Sequence, residues 1–277
     1  MSYIKKSLFD GLTPARRSEF LSLLDGVPGI ARALDAGGWI CGGFVRHLLL
    51  DLPIADYFTP KEDNRAGDVD IFFSNQDDAN RAAGVAALKG NGCDNIQTSW
   101  GGFAKEMTAR FNRRSVTIQF VNHPDKLKPT IEETLDGFDF LNCKVAISRE
   151  GLVMAEGWRE VESLRLLKIC SASSPFLGSR ITKYLTKKGL NELTEDSQPF
   201  VTEWLLSASL KEFEGSESKH LSGLEFAVKT LHANGHVKRE DLLFFIGKFR
   251  HVVSFERYGP EVTVDWALKE LGPASPV

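Results

Sequence analysis

The sequence has few cysteines, and they lie far apart. Cys41, Cys93, Cys143 and Cys170 form no Cys-x-x-Cys pair, which is the spacing typical of zinc knuckles and redox motifs. Four scattered cysteines in a chain of 277 residues also do not indicate a disulfide framework, which is a feature of small secreted domains. We therefore expect reduced thiols.

Long apolar runs are missing as well. No stretch approaches the roughly 18 consecutive apolar residues that a membrane-spanning helix needs. The N-terminal segment MSYIKKSLFDGL carries Asp10 where the core of a signal peptide would stay apolar. These features predict a cytoplasmic protein that makes no contact with membranes.

The chain has no excess of positive charge. It contains 34 Lys and Arg against 37 Asp and Glu, for a net charge of −3 and a pI near 6.1. This balance argues against a broad basic face that would hold long nucleic acid non-specifically, because such binding comes from Lys and Arg releasing phosphate counterions. Any contact with nucleic acid should be local.

A strand, a glycine turn and a helix follow one another near residue 40. Trp39-Ile40-Cys41 is apolar, Gly42-Gly43 interrupts the run, and residues 44–50 have helical spacing of apolar side chains. Glycines at such a junction let backbone N–H groups approach a phosphate closely. Arg46, in the first turn of the helix, can add a charged fork to the same phosphates.

Two acidic residues lie on one predicted strand. Asp68 and Asp70 are two residues apart at the start of an extended run, and the period of two in a strand puts both carboxylates on one face. Two such carboxylates repel each other unless a cation lies between them. Asp-x-Asp alone occurs often by chance, but a phosphate-binding turn before it is the arrangement that metal-assisted nucleotidyl transfer requires. We expect Mg²⁺, with Mn²⁺ as an alternative ion.

The remaining pattern predicts an α+β fold with a mixed sheet in its first half. Thr13 and Pro14 indicate a capped helix that ends near Leu24. Residues 51–67 are rich in polar residues and proline, which predicts an irregular loop. Further elements are expected as a helix at 76–88, strands at 96–100 and 115–121, a capping-box helix after Thr130, and a hairpin of 143–148 with 152–155.

After residue 157 the pattern becomes helical. Helices are predicted at 161–170, 177–188, 199–213, 220–233, 239–252 and 262–271. We therefore divide the chain into a catalytic head, residues 1–157, and an all-helical neck and C-terminal domain, residues 158–277.

Several motifs together resemble those of a known family. Gly42-Gly43-Phe44-Val45-Arg46, followed by Asp68-Val69-Asp70-Ile71, resembles the signature of the DNA polymerase beta nucleotidyltransferase superfamily, in its branch of class II CCA-adding enzymes and bacterial poly(A) polymerases. Residues 138–146, FDFLNCKVA, resemble the second motif of this branch, and residues 180–190, RITKYLTKKGL, resemble its neck helix. The resemblance extends over residues 37–190.

The resemblance implies a nucleotidyltransferase that binds ATP or another NTP and transfers NMP to a hydroxyl, which we expect to be the 3′ end of an RNA, as in tRNA processing. It also implies roles for individual residues. Asp68 and Asp70 would be catalytic and bind metal, Gly42, Gly43 and Arg46 would bind the triphosphate, and Asp139, Arg180, Lys183 and Tyr184 would border the nucleoside.

The sequence departs from the family pattern at several positions. His47 stands where the family has Asp, Phe138 replaces the Arg that opens the second motif, and Asn142 falls one place early. The strand expected to supply a third carboxylate offers Gln119 instead. An amide can ligate a cation through its carbonyl but cannot accept a proton, so either two aspartates suffice or Asp139 substitutes. His47 either faces a phosphate or covers the helix surface.

Two alternatives to RNA 3′-end modification are left open. The same chemistry could modify a protein side chain or a small molecule, as in nucleotidylating toxins and antibiotic-modifying transferases of this superfamily. The missing third acid could instead mark a nucleotide-binding module without catalysis.

Overall fold

The computed structural model describes residues 1–60, 66–86, 93–98, 104–172, 177–187 and 189–203, together with Gly235. The chain forms two compact units. The first comprises residues 1–138 and 142–158, and the second comprises 139–141 and 159–277. The domain boundary after residue 157 stays a prediction, since compact packing alone does not establish an independently folding domain.

The first unit is built on a mixed sheet of eight strands within the described residues. The strands are β1 (Tyr3–Lys6), β2 (Trp39–Cys41), β3 (Asp68–Phe72), β4 (Cys93–Thr98), β5 (Ala104–Phe111), β6 (Arg114–Val121), β7 (Val145–Ser148) and β8 (Gly151–Ala155). Their order across the sheet is β1-β8-β7-β2-β3-β6-β5-β4. Strands β3 and β6 run parallel, and the other neighbouring pairs run antiparallel.

Helices precede and follow these strands. They are α1 (Leu8–Gly11), α2 (Pro14–Gly26), α3 (Pro28–Asp35), α4 (Gly43–Leu49), α5 (Ile54–Tyr57), α6 (Gln76–Ala86), α7 (Ile131–Asp136) and α8 (Trp158–Ser163). The capped helix predicted from Thr13 is confirmed, because the Thr13 side chain accepts a hydrogen bond from the N–H of Arg16. The Thr130 side chain caps α7 in the same way. Within the described residues, no helix combines the length and apolarity needed to cross a bilayer.

The sheet separates a large core from a small one. Val69 and Ile71 point into the large cluster, which the helices α2 to α6 complete. Phe72 points to the opposite face, where a smaller cluster includes Cys41 and Leu135 of α7. The Asp68 and Asp70 face of β3 is therefore covered only in part, which leaves room for polar side chains there.

The second unit is not all-helical, so this part of the prediction is wrong. Its described residues contain α9 (Leu177–Lys187) and α10 (Gln198–Glu203), but also two short parallel strands, β9 (Leu166–Leu167) and β10 (Glu192–Leu193). The helix predicted for residues 161–170 ends at Ser163, because Arg165 adopts a positive φ of 55° that turns the chain into β9. The helices predicted beyond residue 203 lie outside the described residues.

The loop predicted for residues 51–67 also needs correction, since it contains the one-turn helix α5. The main-chain N–H of Ile54 donates to Glu19 Oε2 at 2.9 Å. A turn this short is stabilised by tertiary contacts rather than by helix propensity. The strands β1 and β5 and the helices α1 and α3 were not predicted either.

Lys144 is buried, with 2% of its surface exposed, and ties α7 to the strand that follows. Its ammonium group donates to the carbonyls of Leu135 at 2.7 Å and Asp136 at 3.0 Å, at the end of α7. Hydrogen bonds from a charged donor contribute about 1.5–3 kcal/mol each, so we expect Lys144→Met to lower the free energy of unfolding by about 2 kcal/mol. Denaturant unfolding measures this, and the exposed Lys126→Met is the control. Equal stability of the two variants would contradict the expectation.

Candidate active site

The turn between β2 and α4 has a conformation that only glycine adopts easily. Gly42 has φ 75° and ψ −131°, a combination that disfavours any residue with a Cβ. Its N–H donates to the Val145 carbonyl at 3.1 Å, so Gly42 itself offers no N–H to a ligand. The first N–H groups of a helix have no intrahelical partners, so those of Gly43 and Phe44 are the ones this turn presents.

Asp68 and Asp70 lie together on one face of β3, as predicted. Both are partly exposed, while Val69 between them is buried. Asp70 is the register partner of Cys41 in β2, and Cys41 directly precedes Gly42. The sheet therefore places the acidic pair beside the glycine turn.

Tyr57 of α5 connects the turn to the acidic strand, a role that was not predicted from the sequence. Its hydroxyl donates to the Asp68 carbonyl at 3.1 Å, and a Cβ at Gly43 would lie 3.0 Å from the same hydroxyl oxygen. The N–H of Gly67 donates to the Tyr57 carbonyl at 2.8 Å, and a Cβ on Gly67 would overlap Cε1 of the Tyr57 ring. Tyr57 thus sets the distance between Gly43 and Asp68.

Removing the Tyr57 hydroxyl tests this positioning. Tyr57→Phe keeps the ring, so we expect the free energy of unfolding to fall by only about 1 kcal/mol, the net value of one hydrogen bond. We expect the rate of the NMP transfer that the family resemblance implies to fall by about tenfold or more, since misplacement by about 1 Å can cost as much as a hundredfold. Single-turnover kinetics and denaturant unfolding on the same preparation measure both, and an unchanged rate would contradict the role.

His47 makes structural contacts rather than standing clear of the helix. Its Nε2 donates to the Pro53 carbonyl at 2.8 Å, and its ring centroid lies 5.0 Å from that of Tyr57. Of the two alternatives, the structure favours packing against the helix surface. His47 holds the start of α5, and through it Tyr57.

Two side chains next to the turn, those of Arg46 and Cys41, are buried. Arg46 is only 6% exposed, and its contact with a phosphate stays a prediction. Burial, and secondarily the charge of Asp70, raise the pKa of the Cys41 thiol well above its usual value. Cys41 therefore stays neutral and is not a nucleophile.

Phe138 packs against the glycine turn where the family has an arginine. A Cβ at Gly42 would lie 3.3 Å from Cε1 of Phe138, and the Phe138 and Phe72 ring centroids are 5.8 Å apart. Asn142, the displaced motif residue, is fully buried, and its main-chain carbonyl accepts a hydrogen bond from Trp158 Nε1 at 2.9 Å. Both departures from the family motif therefore make packing contacts in the first unit.

The strand β6 lies next to the aspartates but supplies no third carboxylate. Gln119 is the register partner of Asp70, and Thr117 is that of Asp68. Among the described residues, no group of three His, Cys, Asp or Glu side chains could hold a metal ion. The neighbouring carboxylate is Glu106 of β5, whose Oε2 accepts a hydrogen bond from Gln119 Nε2 at 3.2 Å.

The other predicted nucleotide-binding residues cluster in the second unit. Asp139 is 4% exposed and forms an ion pair with Arg180. Arg180 also lies over the Phe140 ring, with Cζ 5.5 Å from the centroid. Tyr184 is 8% exposed and packs on the same ring at 5.1 Å, whereas Lys183 is exposed. Asp139 is thus paired with Arg180 and is not a free third acid.

Comparison with known proteins gives matches in fold only. No protein-family model and no curated protein matches the sequence. A solved CCA-adding enzyme in its apo form matches with a TM-score of 0.52 at 16% identity, over 94% of this chain and 63% of that one. A tRNA-processing enzyme, also apo, matches with a TM-score of 0.51 at 15% identity, over 97% and 65%. The chain has the fold of a tRNA nucleotidyltransferase.

A third structure agrees with this. A tRNA nucleotidyltransferase in complex with a primer tRNA and an incoming ATP analog matches with a TM-score of 0.50 at 16% identity, over 88% of this chain and 70% of that one. The expected α+β fold is therefore confirmed. The chain spans less than two thirds of the CCA-adding enzyme and of the tRNA-processing enzyme, and a shared fold does not fix an activity.

Proposed function

We propose that the protein is a metal-dependent nucleotidyltransferase that transfers NMP from an NTP to the 3′ hydroxyl of an RNA. One observation carries the proposal: the paired carboxylates of Asp68 and Asp70 lie beside the turn at Gly42 and Gly43, and Tyr57 joins the two. Backbone N–H groups next to paired carboxylates suit a triphosphate and a hard cation at the same time.

The donor set fits a divalent cation. Asp68 and Asp70 supply carboxylate oxygens on one partly exposed face, and oxygen ligands of this kind are the ones Mg²⁺ and Mn²⁺ take. When bound, such an ion neutralises charge on the phosphates and on the attacking oxygen. The two aspartates would hold it, and without it each would repel its neighbour.

The reaction itself is a displacement at the α-phosphorus. The acceptor hydroxyl forms a new O–P bond, the bond between the α-phosphorus and the bridging oxygen breaks, and pyrophosphate leaves with that oxygen. The hydroxyl proton passes to solvent, because the Gln119 amide cannot accept it. Gly43 and Phe44 would donate N–H groups to the triphosphate, with Arg46 nearby, while Tyr57 keeps Asp68 in position.

Asp139, Arg180, Lys183 and Tyr184 would border the nucleoside, as the family resemblance implies. Arg180 is oriented by Asp139 and by the Phe140 ring, and a guanidinium held in this way is preorganised to donate to a base. Lys183 is exposed on the same helix. Tyr184 would act by packing on Phe140. The primer tRNA bound to one of the structures with this fold supports RNA as the acceptor, and we propose a cytoplasmic location.

A labelled transfer assay tests the proposal. The protein is incubated with each α-³²P-labelled NTP in turn, with Mg²⁺ or Mn²⁺, in the presence of total RNA and of cell protein. We expect label in RNA and release of pyrophosphate, and neither when EDTA is present. The Asp68→Asn variant is the matched control.

The acidic balance of the chain favours a second candidate, transfer to a protein or a small molecule. A net charge of −3 provides little attraction for a polyanion. If the label migrates with protein or with a small molecule, that molecule is the acceptor instead of RNA. Nucleotide binding without pyrophosphate release from any acceptor would instead indicate a non-catalytic module and contradict the proposed function.

A further inference from the structure

A row of polar side chains crosses three strands on the aspartate face of the sheet. Asp70 of β3 is the register partner of Gln119 in β6, and Gln119 is in turn the partner of Glu106 in β5. Register partners on adjacent strands point to the same face. All three side chains are partly exposed, so Gln119 lies between a carboxylate of the site and a second carboxylate.

The hydrogen bond to Glu106 determines which way the Gln119 amide is turned. A carboxylate only accepts hydrogen bonds, so the NH₂ group of Gln119 must face Glu106, with Nε2 3.2 Å from Oε2. The carbonyl oxygen is then the end of the amide turned away from Glu106. Within the described part of the chain, Oε1 accepts no hydrogen bond.

We propose that Glu106 is a positioning residue that directs the Gln119 carbonyl oxygen toward the Asp68 and Asp70 site, where it acts as a neutral third ligand for the divalent cation. The inference rests on the proposed function and deepens it. In place of a third acid, Gln119 supplies the ligand oxygen and Glu106 fixes the orientation of that oxygen. Groups that orient the ligands of a metal in this way influence its affinity strongly.

A neutral ligand has a chemical consequence. With two carboxylates and one amide oxygen, the site carries less negative charge than three carboxylates would, so it attracts the cation less strongly and repels the incoming triphosphate less. Glu106 lies one strand farther from the aspartates, and its carboxylate accepts the hydrogen bond that orients the Gln119 amide.

Binding of Mn²⁺ to the full chain, without nucleotide, tests the inference directly. It is measured by electron paramagnetic resonance for wild type, Gln119→Leu, Glu106→Leu and the exchange Glu106→Gln with Gln119→Glu. The exchange keeps the hydrogen bond, with its direction reversed, and puts a carboxylate at position 119. Thr108→Val is the control, because Thr108 shares the face and the strand of Glu106 but is the register partner of Thr117 rather than of Gln119.

We expect Gln119→Leu and Glu106→Leu each to weaken Mn²⁺ binding by about tenfold, and their combination to be no weaker than Gln119→Leu alone, because the two act as a unit. The exchange variant should bind Mn²⁺ at least as tightly as wild type. Thr108→Val should be unchanged. Transfer by Gln119→Leu should need about tenfold more Mg²⁺ for half its maximal rate and recover at high Mg²⁺, which a merely structural defect would not do.

Wild-type affinity in a folded Gln119→Leu variant, or weakened binding in the exchange variant, would overturn the inference. If Asp70→Asn loses Mn²⁺ binding and transfer while Gln119→Leu keeps both, the inference fails and the proposed function stands. If the wild type neither binds Mn²⁺ nor transfers NMP, both fail. Circular dichroism verifies that each variant is folded, and the exchange variant keeps the test valid if a leucine variant does not fold.

Discussion

Asp68→Asn and Asp70→Asn are each expected to lower the rate of NMP transfer at least about a thousandfold, the loss seen when a group that stabilises transition-state charge is removed. Each change replaces one carboxylate oxygen by a nitrogen that cannot bind the cation. The side chains keep their size on a partly exposed face, so packing is preserved. We therefore expect loss of activity without loss of fold.

The free energies of unfolding of the two Asn variants should distinguish a metal site from a structural role of the aspartates. Without metal, the two carboxylates repel each other across one residue of β3, so the free energy of unfolding of either Asn variant should match or exceed that of wild type by up to about 1 kcal/mol. Addition of Mn²⁺ should raise the melting temperature of wild type but not of the variants. A purely structural aspartate would give the opposite result.

Single-turnover assays at saturating Mg²⁺ and thermal unfolding with and without Mn²⁺ measure these effects. Asp25→Asn, on the exposed face of α2, is the control and should behave as wild type in both. A folded Asp70→Asn variant with more than a tenth of the wild-type rate would remove Asp70 from the site.

The parts of the fold that the sequence predicted well depend on local rules. The parity of β3 alone placed Asp68 and Asp70 on one face, because successive side chains of a strand alternate. The caps at Thr13 and Thr130 were readable because a capping side chain bonds to an N–H only three residues on. Such features need no knowledge of distant contacts.

The parts that were missed depend on distant partners. Helix α5 is a single turn held by Glu19, 35 residues before Ile54, and by His47. Both lie outside residues 51–67, so neither the helix nor the role of Tyr57 could be predicted from that segment. Strand β5 could have been predicted from the sequence, because the apolar Met107, Ala109 and Phe111 alternate with polar residues. In the structure these three are buried and the residues between them are partly or fully exposed. The link from Glu106 to Gln119, in contrast, depends on the register of β5 against β6, which sequence alone does not fix.

Gly42→Ala should both destabilise the protein and impair the use of NTP. A residue with a Cβ at φ 75° and ψ −131° costs about 1–3 kcal/mol in backbone strain. The new methyl group would also lie 3.3 Å from Cε1 of Phe138, so the ring must shift. We expect a loss of about 2–3 kcal/mol in the free energy of unfolding, and a rise of about tenfold or more in the KM for NTP, because the turn that presents the Gly43 N–H is displaced.

Gly37→Ala separates the two causes of this effect. Gly37 also has a positive φ, of 84°, but a Cβ there would have no neighbour within 4 Å, and it lies before β2 rather than after it. It should lose only about 1 kcal/mol from strain and keep the wild-type KM. Adding Phe138→Ala to Gly42→Ala removes the steric contact with the ring. The loss in free energy of unfolding on going from Phe138→Ala to the double variant is then due to the backbone alone. If this loss still exceeds that of Gly37→Ala, the excess comes from the backbone conformation of the turn. Denaturant unfolding and steady-state kinetics measure both quantities, and equal KM values for the two single glycine variants would place the triphosphate away from Gly42.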